Sequence, residues 1–246
     1  MNHGTKPHLL GLLAGLFLAA ALVLSAMLVT RAWLKIAESQ TINVTGSARK
    51  NVRADLIVWR GSFSTEAKTL LQAQRALKVD FEKVEAFLKV NGVSNYLASP
   101  ISIQEVRAAE KTQTEDTLHR MEGYRLTQTM EVRSAEVERI VELDRDSVSL
   151  VEEGVLFTSS PPQYIYTKAG EAKVEMLAEA TKDARARADQ IAAQGNRVIQ
   201  QLRSAKMGVF QINPIYSLQT SSDGMNDTTS LEKTILAVVT VSFSMK

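Results

Sequence analysis

The sequence predicts an α+β fold: a mainly antiparallel sheet with two long helices packed on one face, preceded by one N-terminal transmembrane helix. Three observations carry this. Residues 9–29 are uncharged and apolar throughout, two later segments repeat apolar residues every three to four positions, and the remainder alternates β-branched with polar residues. The 246 residues, 45% hydrophobic and 23% charged, suffice to bury a core without metal or disulfide support. Lysine and arginine number 29 against 27 aspartate and glutamate, a balance that supplies neither a nucleic-acid patch nor a polybasic lipid switch. The chain has no cysteine, which excludes a disulfide framework, thiol catalysis and Cys-ligated zinc or iron–sulfur centres.

Residues 9–29, LLGLLAGLFLAAALVLSAMLV, are long enough at about 1.5 Å per residue to cross the roughly 30 Å hydrocarbon core of a bilayer. A cleaved signal peptide is the competing reading, but its apolar region runs about 7–15 residues and ends at a small-x-small site. Here Arg31, Trp33 and Lys35 follow the run and read as an interfacial anchor, which favours retention as a signal anchor. Gly11, Gly15 and Ala19 recur at four-residue spacing, a small-xxx-small face suited to packing of membrane helices. Residues 1–8 form a short head whose one basic side chain, Lys6, is outnumbered by Arg31 and Lys35, so charge alone leans mildly toward a cytoplasmic body. Residues 30–40 then make a juxtamembrane linker to a single domain over 41–246.

Within that domain, residues 41–47 and 54–64 read as strands, the second placing Ile57, Trp59 and Phe63 on one face. From Thr65 to Val90 the period becomes helical, with Leu70, Leu77, Phe81, Val84 and Leu88 aligned, Ser64 as N-cap and Asn91-Gly92 as the stop. A strand near 95–107 and a polar loop over 108–118 precede the clearest alternation: Tyr124, Leu126, Met130 and Val132 oppose Arg125, Thr127, Thr129, Glu131 and Arg133. A short helix over 135–145 leads to an extended stretch whose Pro161-Pro162 marks an edge strand. The second long helix runs from about Lys168 to Gln194, with Val174, Leu177, Thr181, Ala184, Ala188 and Ile191 as its packed face. Segments 197–213 and 232–245 close the chain around a polar loop, the last alternating Ile235, Ala237, Val239, Val241 and Phe243. Residues 54–133 and 153–245 share an element order that suggests a duplicated β-α-β-β unit, although an α+β chain of this size shows such an echo readily.

Chemistry-bearing patterns are sparse. His3 and His8 precede the membrane helix and leave His119 alone in the body, which excludes a site of several imidazoles there. Nucleophile-elbow, Walker, dinucleotide-binding and zincin motifs are absent. Asp144, Asp146, Glu152 and Glu153 gather acidic oxygens but lack the glycine and the third ligand of a calcium loop, Val148 standing there instead. Arg185, Arg187 and Arg197 stand among Glu171, Glu175, Glu179, Asp183 and Asp189 and read as surface ion pairs rather than a phosphate site.

The stretch Ile42-Asn43-Val44-Thr45-Gly46-Ser47-Ala48, the strand carrying Tyr124, and Ala180-Thr181-Lys182-Asp183-Ala184-Arg185-Ala186-Arg187-Ala188-Asp189-Gln190-Ile191-Ala192 with Gly195 resemble the SIMPL domain family of bacterial envelope proteins, over about residues 40–246. The resemblance implies an exported, commonly oligomeric domain linked to envelope or oxidative stress, and it carries no catalytic residue to transfer. It also implies the orientation: residues 1–8 cytoplasmic, the body in the periplasm at the inner membrane. The expected function is a membrane-anchored binding or assembly module, not an enzyme. It would need no cofactor or metal and would bind no nucleic acid and no known small molecule; its partners would be like subunits or another envelope protein, met through strand edges and the loops near 108–118 and 214–230. The alternative is a periplasmic hydrolase gathering Glu105, Asp116 and His119 in one hairpin.

Overall fold

The computed structural model describes residues 7–37, 41–111, 117–217 and 221–246. The apolar run forms helix α1, Pro7–Ala37, of 31 residues. Its stretch Gly11–Leu34 is long and apolar enough to cross a membrane, with a mean hydropathy of 2.6, and none of it is buried within the protein. The helix therefore continues through Arg31 and Trp33, where a linker was expected, and residues 38–40 lie outside the described ones. A helix of this length reaches about 46 Å, more than the roughly 30 Å core of a bilayer.

Two strands follow, β1 (Thr41–Arg53) and β2 (Leu56–Ala67). Helix α2 (Leu70–Val90) starts five residues later than the periodicity suggests, because Ser64 and Thr65 prolong β2 and Thr69 caps the helix by accepting from the Gln72 amide at 3.3 Å. Leu70 is consequently exposed, while Leu77, Val84 and Leu88 are buried. Asn91 ends the helix and Gly92 takes a left-handed turn at φ +69°, with the Arg139 guanidinium where a β-carbon would go.

Next come β3 (Leu97–Ala98), β4 (Ser102–Lys111) and β5 (Thr117–Ser134). Strand pairing runs to Lys111 and Thr117, so most of the expected 108–118 loop is instead the end of a long hairpin. Residues 112–116 of it lie outside the described ones. Helices α3 (Val137–Asp146) and α4 (Ser149–Glu152), strand β6 (Phe157–Ile165), helix α5 (Ala169–Gln194) and strands β7 (Ile199–Met207), β8 (Gln211–Pro214) and β9 (Glu232–Met245) complete the chain.

The strands form two sheets, one ordered β3-β5-β2-β6 with β4 also on β5, the other β1-β9-β7 with β8 on β9. The registers of β2–β5, β2–β6, β4–β5, β7–β9 and β8–β9 are all antiparallel. Strand β6, which carries both prolines, is an edge as expected, and its register on β2 slips between Val58 and Arg60. The echo of element order is real, but β6 pairs with β2, so the second half does not close a sheet by itself.

Two compact units emerge. One comprises residues up to Ala48, Leu177–Gly208 and Val238–Lys246; the other comprises Arg49–Met176 and Val209–Ala237. In the second, Ile57, Trp59 and Phe63 of β2 and Leu126, Met130 and Val132 of β5 pack against Leu77, Val84 and Leu88 of α2 and Ile140 and Leu143 of α3. In the first, Val44, Val239, Val241 and Phe243 pack on Ala180, Ala184, Ala188 and Ala192. Alanines four residues apart thus form the buried face of α5, leaving the expected Val174 and Ile191 exposed. The reason lies across the interface. A β-carbon on Gly46 would lie 2.7 Å from that of Ala184 and fall on the backbone of Ala180, so strand and helix approach too closely for larger side chains.

Candidate binding site

On α1, Gly11, Gly15 and Ala19 lie on one exposed face, and a β-carbon at either glycine would meet nothing within 4 Å. The stripe is therefore open. Arg31 and Trp33 are exposed on the last turns, and Lys35 follows in the helical backbone, its side chain outside those described.

Of the hydrolase residues, the backbone places Glu105 and His119 apart along one hairpin. Glu105 stands opposite Tyr124 and His119 opposite Ala109, which separates the two by four residues, about 13 Å, along the hairpin. The Glu105 carboxylate is taken by Arg107 at 2.6 Å. Asp116 lies outside the described residues, as does the side chain of His119.

Asp144 has a different task from the calcium reading. It accepts from the indole Nε1 of buried Trp59 at 2.8 Å and from the Ser159 hydroxyl, which itself accepts from Trp59 at 2.9 Å. Trp59 also stacks on Phe157 with ring centroids 6.0 Å apart. The ion-pair reading of α5 holds for Arg187, which meets Asp183 at 2.9 Å. Asp183 in addition accepts from the Ser47 amide at 2.8 Å; that bond first, and Arg187 second, hold its carboxyl below the usual range.

A buried ion pair fastens the loop between β8 and β9. Lys233 is fully enclosed and donates to the Asp227 carbonyl at 2.6 Å and carboxylate at 3.1 Å. Asp227 also accepts from the Thr229 amide at 2.9 Å, the Thr229 hydroxyl at 2.7 Å and the Ser230 amide at 3.3 Å. Burial alone would push its carboxyl up, but these donors together outweigh it and hold the pKa at about 2. The alternation along β9 places Lys233 on the same inward face as Ile235 and Ala237, so a buried lysine was readable there; its partner, six residues earlier in a polar loop, was not.

A groove of about 410 Å³ lies between α2 and the chain around Ile101 and Gln128. Gln74, Leu77, Lys78 and Phe81 stand at i, i+3, i+4 and i+7 on the helix and, with Arg75, form one side. Ile101 and Gln128 form the opposite side. Gln128 occupies a position of β5 that points, like Leu126 and Met130, toward the core, and it donates to the Ser99 carbonyl at 2.9 Å. Phe63, paired with Gln128 across the strands, meets Phe81 at a ring separation of 6.4 Å. Among the described residues no hydrogen bond or ion pair holds the side chain of Arg75 or Lys78. Sequence reading passed over this site, although Gln128 is a polar break in the alternation of Tyr124, Leu126, Met130 and Val132.

Comparison with curated proteins gives no match. Among solved structures, the crystal structure of an amidase of the hydantoinase/carbamoylase family from Burkholderia phymatum shares 10% identity over 56% of this chain and 35% of that one, with a TM-score of 0.25. This chain thus spans about a third of that protein's length, and a likeness at this level carries neither fold nor activity across. The glycine of β1 and the alanines of α5, the two stretches that interlock in one unit, both fall within a family match over residues 42–243. The chain belongs to the SIMPL family, described as a protein of unknown function (DUF541).

Proposed function

We propose that the chain is a membrane-anchored binding and assembly module of the bacterial envelope. Helix α1 holds it in the inner membrane, with the body in the periplasm, in the service of envelope or oxidative stress. One observation carries the reading: the apolar span Gly11–Leu34 buries none of its surface in the protein's own body, so its apolar side chains are left for lipid. The orientation rests on family membership, against a weak charge bias. Catalysis is not part of the proposal, since the residues that do organise buried polar atoms, Asp144 and Asp227, spend their oxygens on an indole, hydroxyls, amides and an ammonium within the fold.

Self-association is assigned to β7. Eight of its nine residues are exposed, it ends its sheet, and no proline interrupts it, in contrast to β6. Ser204→Cys places the sole cysteine of the chain on this edge. In native membranes mild oxidation is expected to give a disulfide-linked dimer from this variant, while Val90→Cys, on the exposed last turn of α2, stays monomeric. Equal dimer from both positions, or none from either, would remove the assembly part of the reading.

A further inference from the structure

We infer that the groove beside α2 binds an anionic amphiphile, a ligand with one apolar chain or ring system and a carboxylate or phosphate head. This goes beyond the anchoring and assembly role and does not depend on it, since every wall of the groove belongs to one unit of the body. Three features point the same way. The apolar part of the lining comes from Leu77, Phe81 and the exposed Ile101. Its volume, about 410 Å³, falls within the range of small-molecule sites, roughly 300–1,000 Å³.

The third feature is charge. Arg75 and Lys78 both line the groove three residues apart, one turn of the helix, and neither has a carboxylate partner among the described residues. Several other surface cations of the same unit are paired, Arg60 with Glu131, Arg125 with Glu66, Arg139 with Glu136 and Lys89 with Glu85. Among the described residues Lys68, Arg145 and Lys173, like Arg75 and Lys78, hold no carboxylate; of these unpaired cations, Arg75 and Lys78 line the groove. The acids that follow on the helix, Asp80 and Glu82, form no ion pair with either cation. A guanidinium and an ammonium beside an apolar trough complement a head that is anionic and a body that is not, the guanidinium by a two-pronged contact with the anionic oxygens. Gln74 adds an exposed amide at the same edge.

The test uses the full chain in lipid nanodiscs, with empty nanodiscs subtracted, and trifluoromethyl-terminated octanoate as the probe, its binding read by fluorine NMR line broadening. Octyl phosphate is expected to displace it; octanol, octylammonium and inorganic phosphate at equal concentration are not. Arg75→Gln/Lys78→Gln should weaken the probe at least tenfold, and wild-type binding should fall as salt is raised from low to high ionic strength. Ile101→Ser should weaken it without changing the salt dependence. Because all three side chains are exposed, folding is checked by unchanged circular dichroism, and the single variants Arg75→Gln and Lys78→Gln give an independent reading should the double variant lose structure. Displacement by octanol or octylammonium as strong as by octyl phosphate would reduce the groove to a nonspecific apolar patch. Inorganic phosphate competing as well as octyl phosphate would make it a bare anion site. An unaltered double variant would end the proposal.

Discussion

At Gly46 one hydrogen atom in place of a side chain sets how closely β1 lies on α5. A methyl there would fall on the Ala180 carbonyl oxygen and the Ala184 amide nitrogen, which are backbone and cannot turn aside. Gly46→Ala is therefore expected to lower stability by at least about 2 kcal/mol, the cost of overpacking a close interface, and chemical denaturation should show a fall in midpoint without a change of slope. Asp227 makes a second prediction through pH. Its folded pKa of about 2 lies below the ordinary value of about 3.9, so the stability it contributes is complete above about pH 4 and is lost as pH falls through 4 toward 2. The step amounts to about 2.5 kcal/mol. Asp227→Asn should abolish that part of the acid dependence and, by leaving Lys233 buried without a counter-charge, cost about 3–5 kcal/mol at neutral pH. Replacing both, as Asp227→Asn with Lys233→Met, should recover most of the loss; thermal melts between pH 2 and 7 measure all three.

Elements were legible where periodicity and burial agree. In β9 every second residue from Ile235 to Phe243 is buried, and β5 places Leu126, Met130 and Val132 inward as read. Where they part, a competing interaction is identifiable. Helix period over 65–69 gave way to β2, because Glu66 and Ala67 continue the ladder with Arg125 and Tyr124 and because Thr69 supplies the cap. On α5 the larger apolar residues lost to alanine, since close approach to Gly46 admits only small side chains; hydrophobicity alone does not reveal such a constraint. The groove escaped for a related reason: Arg75, Lys78 and Gln128 are polar residues of ordinary frequency until the fold sets them around Leu77 and Phe81. The cap gives a direct check. Thr69→Ala removes the acceptor of the Gln72 amide and should cost about 1 kcal/mol, whereas Ser64→Ala, inside β2, should not behave as a cap loss at all. Urea unfolding of the two variants separates the alternatives.

For the whole molecule the governing fact is that one apolar helix of 31 residues precedes a body of near-balanced charge. Each central Leu, Val or Phe favours insertion by roughly 0.3–0.6 kcal/mol, and Gly11–Leu34 contains many of them with a single charge, Arg31, near its end. Such a span, once inserted, is not released by screening charge or raising pH. The full chain is accordingly expected to stay with membranes through alkaline carbonate, and a chain beginning at residue 31 to become soluble with the groove and core intact. The side of the membrane is a separate matter, because Lys6 before the helix is outweighed by Arg31 and Lys35 after it. With the body in the periplasm, protease added to intact spheroplasts should remove a C-terminal tag placed after Lys246, and lysis should add nothing to the cleavage. With the body inside, the tag would survive until lysis, and the binding partners of the groove would have to be sought in the cytoplasm.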